Sequence, residues 1–503
     1  MSTTDAQTHN AEKTCWNCPA IDLAGKVDFR ACGQATESFD KDASDGDVQI
    51  MAECKRRPEM GVFDPMGITF QECPEWVEGP YGLMLRDMRV MILGIDGYLG
   101  WTLALKLSRL GYRVSGVDNY SRRGWLAERG GHTIVPISTM TDRLHAANEV
   151  LGVNINFRKI DIYSERERLA EFIDEVKPEA IVHYAECPSA PYSMIDLDHA
   201  TFVQANNVLG TLGVLFMMRD HTPESALVKL GTMGEYGAPL TGRPIFEGLF
   251  PADAVLKWDN REWSLGGELT PRDPVSFYHV SKVQDTFNVY EACKYWWLRS
   301  YDIMQGVIYG VHTDEVAADP RLRTRLDIDE WFGTVINRFV SQAVIGFPLT
   351  VYGAGEQLRG FISLEDAMQC MVRLINSPPE PGQYGVVNQM SGYYSIMELA
   401  KTVARVASQE FGLRTTIQRV ENPRVEADRH PFEPIYDKLG KEYGFTAEHA
   451  PEDVIHQMLK LLLRPDIKAR IEEKKHLIRP STWWSGEKKD VGTLEVLEEL
   501  TYG

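Results

Sequence analysis

The sequence predicts an α/β fold in which helices cover both faces of a doubly wound parallel sheet. The first β-α-β unit consists of an apolar run at residues 90–93, a helix-length stretch that ends at Leu110, and a second apolar run at residues 113–117. Further strand-sized apolar runs lie at residues 156–160, 180–183, 227–230 and 303–308. Strands that alternate with helices pair in parallel, because each crossover returns the chain to the same edge of the sheet.

Composition excludes several classes of protein. A chain of 503 residues with 44% hydrophobic residues can bury one large core or two fused ones. Its 53 basic and 72 acidic residues give a net charge of −19, which disfavours binding to nucleic acids and to anionic membranes. The chain lacks a run of about 18 apolar residues and a signal-peptide pattern, so we expect a cytoplasmic protein.

The chain is predicted to contain an extension and a core. Residues 1–85 are polar and lack sustained periodicity, as expected of an N-terminal extension that is partly disordered or metal-binding. Its candidate ligands are Cys15, Cys18, Cys32 and Cys54. Because a second C-x-x-C pair is missing, ordinary thiols remain the alternative and no metal is predicted. Residues 86–503 form the core, with a smaller C-terminal substrate lobe mainly from about residue 310 onward. Residues 238–273 are predicted to be a long loop of the kind that often acts as a lid.

Three glycines lie between the first strand and the first helix of the core. The turn reads Gly94-Ile95-Asp96-Gly97-Tyr98-Leu99-Gly100. Without side chains, such a turn lets backbone N–H groups and the helix dipole meet a pyrophosphate. The next strand ends at Asp118, whose carboxylate can accept both hydroxyls of a ribose. Together these features predict a Rossmann-type dinucleotide site.

The residues after this strand bear on the choice between NAD and NADP. Asp118 favours NAD, because a carboxylate would repel the 2′-phosphate of NADP. Arg122 and Arg123 follow closely and could neutralise that phosphate, or lie along the adenine or the diphosphate of NAD. We predict NAD and leave the role of the two arginines open.

A second constellation is Tyr278 and Lys282, whose spacing of four places both side chains on one helix face. A nearby ammonium favours the phenolate and makes tyrosine a usable base near neutral pH. The spacing alone is common on protein surfaces. Thr232 adds weight, because it directly follows the strand-sized run at 227–230, at the edge where such sheets bind ligands.

In this order, the glycine turn, the strand-end threonine and Tyr-x-x-x-Lys resemble the extended short-chain dehydrogenase/reductase family. Longer stretches are similar to the UDP-sulfoquinovose synthase branch of that family. They comprise residues 189–196, 229–237, 277–279, 305–307, 349–353 and 422–426. The resemblance implies NAD as cofactor, UDP-glucose and sulfite as substrates, and a homodimer. The implied reaction oxidises C4 of the sugar, eliminates the C6 hydroxyl, adds sulfite at C6 and reduces C4 again, in the biosynthesis of sulfolipid.

The resemblance also assigns roles to individual residues. The catalytic set is Thr232, Tyr278 and Lys282, with residual acid/base duty on Glu235, His279 or water. The cofactor set is Gly94, Gly97, Tyr98, Gly100, Asp118, Asn119, Arg122, Arg123, Asp161, Ile162, Tyr184, Asn206, Tyr278, Lys282 and Val307. The substrate set is Thr232, Gln305, Thr334, Asn337, Thr350, Tyr352, Arg359, Arg424 and Glu426. For the arginines there is a physical reason as well, since a guanidinium fork suits a diphosphate.

The chain departs from the synthase pattern at its active site. Where that pattern reads His-Phe-Gly-Glu-Gln-Arg, residues 183–188 read His-Tyr-Ala-Glu-Cys-Pro, so Pro188 replaces an arginine. Met304 stands where the pattern has Asn. Sugar dehydratases carry an Asp-Glu pair directly after the threonine, where this chain has Met233 and Gly234. The alternatives are therefore a 4-epimerase or dehydratase that does not add sulfite, and a non-catalytic NAD-binding partner module.

Overall fold

The computed structural model describes most of the chain from Met88 onward and three short strands before it. The described ranges are residues 35–37, 50–53, 62–63, 88–237, 242–422, 433–479, 481–482 and 489–497. The chain divides into two compact units, Met1–Arg86 and Asp87–Gly503. In the first unit, the strands Ala35–Glu37, Ile50–Glu53 and Val62–Phe63 form an antiparallel sheet.

The predicted thiolate ligands fall outside the described residues. These positions are Cys15, Cys18, Cys32 and Cys54. Over the part of the chain that the structure does describe, no group of three or more His, Cys, Asp or Glu side chains could hold a metal ion. The role of the N-terminal cysteines therefore stays a sequence-based question.

A seven-stranded parallel sheet forms the centre of the large unit. Its strands are β1 Arg89–Leu93, β2 Arg113–Asp118, β3 Asn156–Lys159, β4 Ala180–His183, β5 Ala226–Leu230, β6 Arg299–Gln305 and β7 Tyr384–Gln389. Their spatial order is β7-β6-β5-β4-β1-β2-β3, and all pairs are parallel. Residues 90–93 are fully buried because helices cover both faces. The predicted Rossmann-type fold class is confirmed.

Helices connect and cover the strands. In the sheet-containing half they are α1 Tyr98–Arg109, α2 Ser121–Glu128, α3 Met140–Leu151, α4 Arg166–Val176, α5 Leu197–Gln204, α6 Gly210–His221 and α7 Phe277–Trp296. A π-helical segment, Ala205–Leu209, joins α5 to α6. By length and composition, the combined helix Leu197–His221 could cross a membrane, but this is weak evidence because core helices of soluble proteins pass the same test.

The C-terminal lobe contains two small sheets around an apolar core. One consists of Val307–Tyr309, Leu358–Ser363 and Gly392–Ser395, and the other of Leu349–Tyr352, Ile417–Val420 and Thr493–Leu497. Its helices are α8 Asp314–Ala317, α9 Val335–Val344, α10 Leu364–Asn376, α11 Ile396–Phe411, α12 Lys438–Tyr443, α13 Pro451–Leu462 and α14 Pro465–Glu473. The lobe returns β7 to the main sheet, so the two halves share chain crossings.

One predicted strand is wrong in its extent. The run at residues 303–308 is divided at Gly306, because β6 ends at Gln305 and Val307–Tyr309 pairs with Leu358–Ser363 in the lobe. A Cβ at Gly306 would lie 2.8 Å from the carbonyl oxygen of Gly360. The chain therefore passes from one sheet to the other at Gly306, because any side chain at this position would clash with the neighbouring backbone.

Candidate active site

A cavity of about 540 Å³ lies at the carboxyl edge of the main sheet. Its lining includes residues that end or closely follow strands of this sheet, among them Gly94, Asp118, Tyr184, Thr232 and Gln305. Ligands of open α/β sheets bind at this edge. The location agrees with the sequence-based expectation.

The glycine turn leaves room for a ligand's phosphates. Gly94 has a φ of +87°, and its N–H donates to the carbonyl oxygen of Val117 at 2.8 Å. A Cβ at Gly100 would lie 2.2 Å from the oxygen of Gly94, so helix and turn can approach only without it. Helix α1 begins at Tyr98. Its N-cap residue is Gly97, which has no side chain that could accept a hydrogen bond from the first N–H groups of the helix. These donors and the helix dipole fit a pyrophosphate.

Asp118 is held in place by backbone donors. Its Oδ2 accepts the N–H of Asp96 at 2.9 Å and its Oδ1 accepts the N–H of Tyr120 at 2.6 Å. Burial, and then the negative charge of Asp96, raise the pKa of Asp118 to about 6. Each oxygen keeps a second lone pair for a ribose hydroxyl.

Both arginines after β2 have carboxylate partners. Arg123 forms a two-pronged pair with Asp96, with both N–O distances 2.7 Å, and does not line the cavity. Arg122 lines the cavity, binds Asp327 at 2.7 Å and stacks on the Phe332 ring at 3.6 Å. Because both guanidinium charges are already matched, the geometry favours NAD over NADP.

Most of the remaining predicted cofactor residues line the cavity, and one lies behind the lining residues. Asn119, Ile162, Tyr184, Asn206 and Val307 line the cavity, as do Tyr98 and the three glycines. Asp161 lies behind the wall, where its Oδ2 accepts a hydrogen bond from the amide of Asn119 at 2.7 Å. This hydrogen bond positions Asn119, and the predicted contact of Asp161 with the cofactor stays a prediction.

Thr232 and Tyr278 meet at one side of the cavity, and both line it. The Thr232 hydroxyl caps a short 3-10 turn by accepting the N–H of Gly234 at 3.2 Å. Tyr278 lies in the first turn of α7, which the Ser276 side chain caps, and its N–H donates to Ser193 Oγ at 3.0 Å. Strand end and helix start thus bring together the two residues that the sequence pairs.

Lys282 forms a buried ion pair. Its ammonium is buried against the carboxylate of Glu186 and the carbonyl oxygen of Leu230. Burial, and then the charge of Glu186, raise the pKa of Tyr278 well above its usual value. Because the carboxylate of Glu186 neutralises the ammonium, the effect of Lys282 on the pKa of Tyr278 beside a bound nicotinamide stays a prediction.

The two acid/base candidates differ in burial, and neither lines the cavity. Glu235 is fully buried, and its carboxylate accepts the N–H of Thr232 at 3.3 Å and the hydroxyl of Thr286 at 2.9 Å. It faces the protein interior rather than the cavity. His279 is half-buried, and a Cβ at Gly234 would lie 2.3 Å from its Nε2. The imidazole therefore occupies the space where a dehydratase of the pattern described above carries a side chain.

Some of the residues predicted to bind the substrate line the cavity, and others lie behind its lining. Gln305, Thr334, Tyr352 and Arg359 line the cavity. Asn337 and Thr350 lie behind it: the Asn337 amide donates to the Asp327 carbonyl oxygen at 3.4 Å, and the Thr350 hydroxyl accepts from Gln342 at 2.8 Å. Their predicted contacts with the substrate stay predictions. Arg424 and Glu426 lie outside the described residues.

Several cavity residues were missed. They are Trp125, Glu186, Arg325, Asp329, Trp331, Phe332 and Arg338. Most belong to an irregular segment before α9 that has no strand or helix periodicity. Glu186 carried a usable signal, because it follows β4 at the ligand edge of the sheet. Arg338 carried a weaker one, since it lies one helical turn after Thr334.

The predicted lid does not cover the cavity. In residues 242–273, two strands form an exposed hairpin, Val255–Trp258 with Arg261–Ser264. None of the described residues in this segment lines the cavity. The hairpin is possible because Asp259 and Asn260 adopt positive φ values of 47° and 58°, as a tight turn requires.

Comparisons with known proteins agree with this site. Residues 90–256 match the model of the NAD dependent epimerase/dehydratase family. The chain is 41% identical to a UDP-sulfoquinovose synthase of Sulfolobus acidocaldarius, over 79% of this chain and 98% of that protein. It is 39% identical to the chloroplastic UDP-sulfoquinovose synthase of Spinacia oleracea, over 79% of each chain. A UDP-glucose 4-epimerase structure from Thermotoga maritima shares the fold, with 17% identity, a TM-score of 0.54, and coverage of 74% of this chain and 98% of that one.

The fold and the cavity define a dinucleotide-dependent enzyme whose reactive groups lie at the carboxyl edge of a Rossmann-type sheet. The chain belongs to the NAD-dependent epimerase/dehydratase family, and over most of its length it is similar to the UDP-sulfoquinovose synthases. It is an enzyme and its cofactor is NAD. The alternative of a non-catalytic partner module is therefore wrong.

Proposed function

We propose that the chain converts UDP-glucose and sulfite to a UDP-sugar sulfonated at C6. The observation that carries the proposal is a single cavity that joins the glycine turn, the Thr232 and Tyr278 hydroxyls and an arginine-bearing wall. The names of the two relatives at about 40% identity support the same reaction. NAD, when bound, supplies the acceptor of the C4 hydride and later its donor.

In this proposal Tyr278 is the base at the C4 hydroxyl. Its phenolate takes the hydroxyl proton as the hydride leaves, and Thr232 hydrogen-bonds the same oxygen. A ketone at C4 makes the C5 proton acidic, so the C6 hydroxyl can be eliminated. The resulting double bond is an electrophile for a soft anion such as sulfite, and reduction at C4 then restores the alcohol.

We assign the proton transfers at C5 and C6 to His279. Its Nε2 lies against Gly234, two residues beyond Thr232, while its Nδ1 is oriented by the Ser276 hydroxyl at 2.9 Å. Imidazole can both accept and return a proton near neutral pH. Glu235 is the weaker candidate, because its carboxylate is committed to Thr232 and Thr286 inside the protein.

The runner-up is a 4-epimerase or 4,6-dehydratase that does not use sulfite. It is favoured by Pro188, which lines the cavity where the synthase pattern has a cation. The two functions differ in whether sulfite enters the product.

The test is to incubate the purified chain with UDP-glucose, with and without sulfite, and to analyse the products by mass spectrometry. We expect a sulfonated UDP-sugar only when sulfite is present. If sulfite leaves the product unchanged, the synthase proposal fails. Formation of UDP-galactose or of a 4-keto-6-deoxy sugar would then establish the runner-up.

We also propose that the enzyme is a homodimer formed through two neighbouring helical segments. The combined helix Leu197–His221 packs beside α7. Both expose large apolar side chains: Leu197, Leu209, Phe216, Phe277, Phe287 and Tyr295. Clustered exposed apolar residues of this kind mark contact surfaces between proteins.

A further inference from the structure

Glu186 is a cavity residue that none of the steps above uses. Its side chain is 3% exposed and contacts the Lys282 ammonium, which is itself 2% exposed. Lys282 is one helical turn from Tyr278 on α7, on the same helix face, and Glu186 is close enough to Tyr278 for its charge to raise the pKa of the phenol. A buried ion pair placed directly behind a reactive phenol can move a proton without involving water.

The phenol must lose a proton before it can act as a base. In the ligand-free chain burial, and then the charge of Glu186, hold the pKa of Tyr278 well above its usual value, so the phenol is protonated. The complete reaction oxidises C4 and reduces it again, so the proton count at C4 returns to its starting value. One protein group that holds this proton between the oxidation and the reduction would be sufficient for the whole cycle.

We propose that Glu186 stores the phenolic proton of Tyr278 during the reaction and receives it through Lys282. The Lys282 ammonium gives one proton to a Glu186 oxygen, and the resulting amine takes the proton of the Tyr278 hydroxyl. The products are a carboxylic acid, an ammonium and a phenolate. The phenolate takes the C4 hydroxyl proton as C4 is oxidised, and the reverse transfers follow when C4 is reduced. This inference rests on the proposed C4 oxidation.

Two titratable side chains close to Glu186 in the sequence do not compete for this proton. His183, on β4, has its Nε2 3.8 Å from Glu186 Oε1, and burial lowers the pKa of His183 to about 4, so the imidazole is a weak base. Burial raises the pKa of the neighbouring Cys187 to about 12, so this thiol stays protonated.

The charged side chains that α7 and β5 place near Lys282 do not take up this proton either. Burial, and then the charge of Glu186, raise the pKa of Asp285 on α7 well above its usual range, which disfavours a second negative charge beside Glu186. Lys229 on β5 forms an ion pair with Asp302 at 3.4 Å. Of the described groups that face Lys282, Glu186 is thus the carboxylate able to change its protonation.

The experiment counts protons released while C4 is oxidised. The holoenzyme is mixed with UDP-glucose in the absence of sulfite, in weak buffer with a pH indicator, and reduced nicotinamide is recorded in parallel. We expect almost no proton release from the natural chain and about one proton per reduced nicotinamide from Glu186→Gln. The logarithm of the variant's oxidation rate should rise with pH with a slope of about one, while that of the natural chain stays flat.

A second measurement detects the protonated carboxyl group of Glu186 directly. Infrared difference spectra on substrate addition should show a new carboxylic acid C=O band that is absent from Glu186→Gln. Glu247→Gln is the matched control, because this half-buried carboxylate does not line the cavity and instead accepts the N–H of Asn388 at 2.8 Å, so the variant should keep both the band and the missing proton release.

The outcomes separate this inference from the proposed function. If UDP-glucose produces no reduced nicotinamide in the natural chain, the proposed function fails. If reduction occurs but the natural chain releases about one proton each time and shows no carboxylic acid band, the inference about Glu186 fails alone. Both measurements on the natural chain decide this even if Glu186→Gln does not fold.

Discussion

At the scale of single residues, the reactive hydroxyl is the most direct target. Tyr278→Phe removes the proposed base but keeps the ring that packs beside the cavity. We expect the turnover rate to fall by about 10²- to 10⁴-fold, the usual contribution of a positioned general base, with nearly unchanged NAD binding. Tyr290→Phe on the same helix is the control, since that ring packs edge-on against Tyr384. Equal turnover of Tyr278→Phe and the natural chain would remove this residue from the mechanism.

Asp118 makes cofactor affinity dependent on pH. Its pKa is raised to about 6, so the carboxyl becomes neutral as the pH falls through that value. A carboxylate accepts ribose hydroxyls more strongly than the neutral acid does. NAD affinity should therefore be highest above pH 6 and fall below it, as calorimetric titration across this range can measure. Asp118→Asn should bind more weakly and lose this pH dependence, and a dependence kept by the variant would assign the titration to another group.

At the scale of elements, the 3-10 turn after β5 and the start of α7 meet where Gly234 lies against His279. In Gly234→Ala the added Cβ would be 2.3 Å from Nε2, so the imidazole has to move. A displacement of about 1 Å in a catalytic group costs about a hundredfold in rate. We expect the elimination of the C6 hydroxyl to slow by about that factor, with a smaller effect on C4 oxidation.

The measurement for Gly234→Ala compares formation of reduced nicotinamide with formation of the eliminated sugar. Gly124→Ala is the control, because a Cβ there meets no atom within 4 Å and α2 tolerates alanine. If both variants eliminate at the rate of the natural chain, His279 does not carry the proton transfer.

Elements with regular periodicity could be predicted from the sequence, together with the residues at their ends. Gly94, Asp118, Thr232 and Tyr278 were found because apolar runs place them at strand ends or on a helix start. Strand β7 was missed, since Tyr384–Gln389 ends in polar residues and follows the less regular lobe. Its polar side chains are satisfied by the lobe: the side-chain amide of Asn388 donates to the carbonyl oxygen of Ile435 at 2.6 Å, and that of Gln389 donates to the carbonyl oxygen of Ala367 at 3.2 Å.

The pairing of charges could not be predicted. Sequence spacing brings Lys282 next to Tyr278, but only the folded chain brings Glu186 from β4 to the same ammonium. Likewise, Arg123 looked available to a phosphate until the fold placed it on Asp96. Contacts between residues far apart in the chain depend on the three-dimensional packing of strands, which periodicity does not specify.

At the scale of the whole molecule, the proposed dimer forms through the exposed faces of two neighbouring helical segments. Phe287 on α7 is 49% exposed, and Phe216 on α6 is 41% exposed. Stable homodimers bury about 1,200 Å² or more of total surface with an apolar centre. Phe287→Glu places a charge on this face, and its burial without a partner is unfavourable. We therefore expect sedimentation velocity to show a dimer for the natural chain and a monomer for the variant.

Trp258→Glu is the control for this prediction. Trp258 is 74% exposed, but it lies on the hairpin and not on the two helical segments, so its replacement should leave the dimer intact. Because Tyr278 and Lys282 lie on the same helix as Phe287, loss of the dimer should also reduce turnover, through a less ordered α7. If Phe287→Glu remains dimeric while Trp258→Glu becomes monomeric, the hairpin is the contact surface and α7 is supported by its own packing alone.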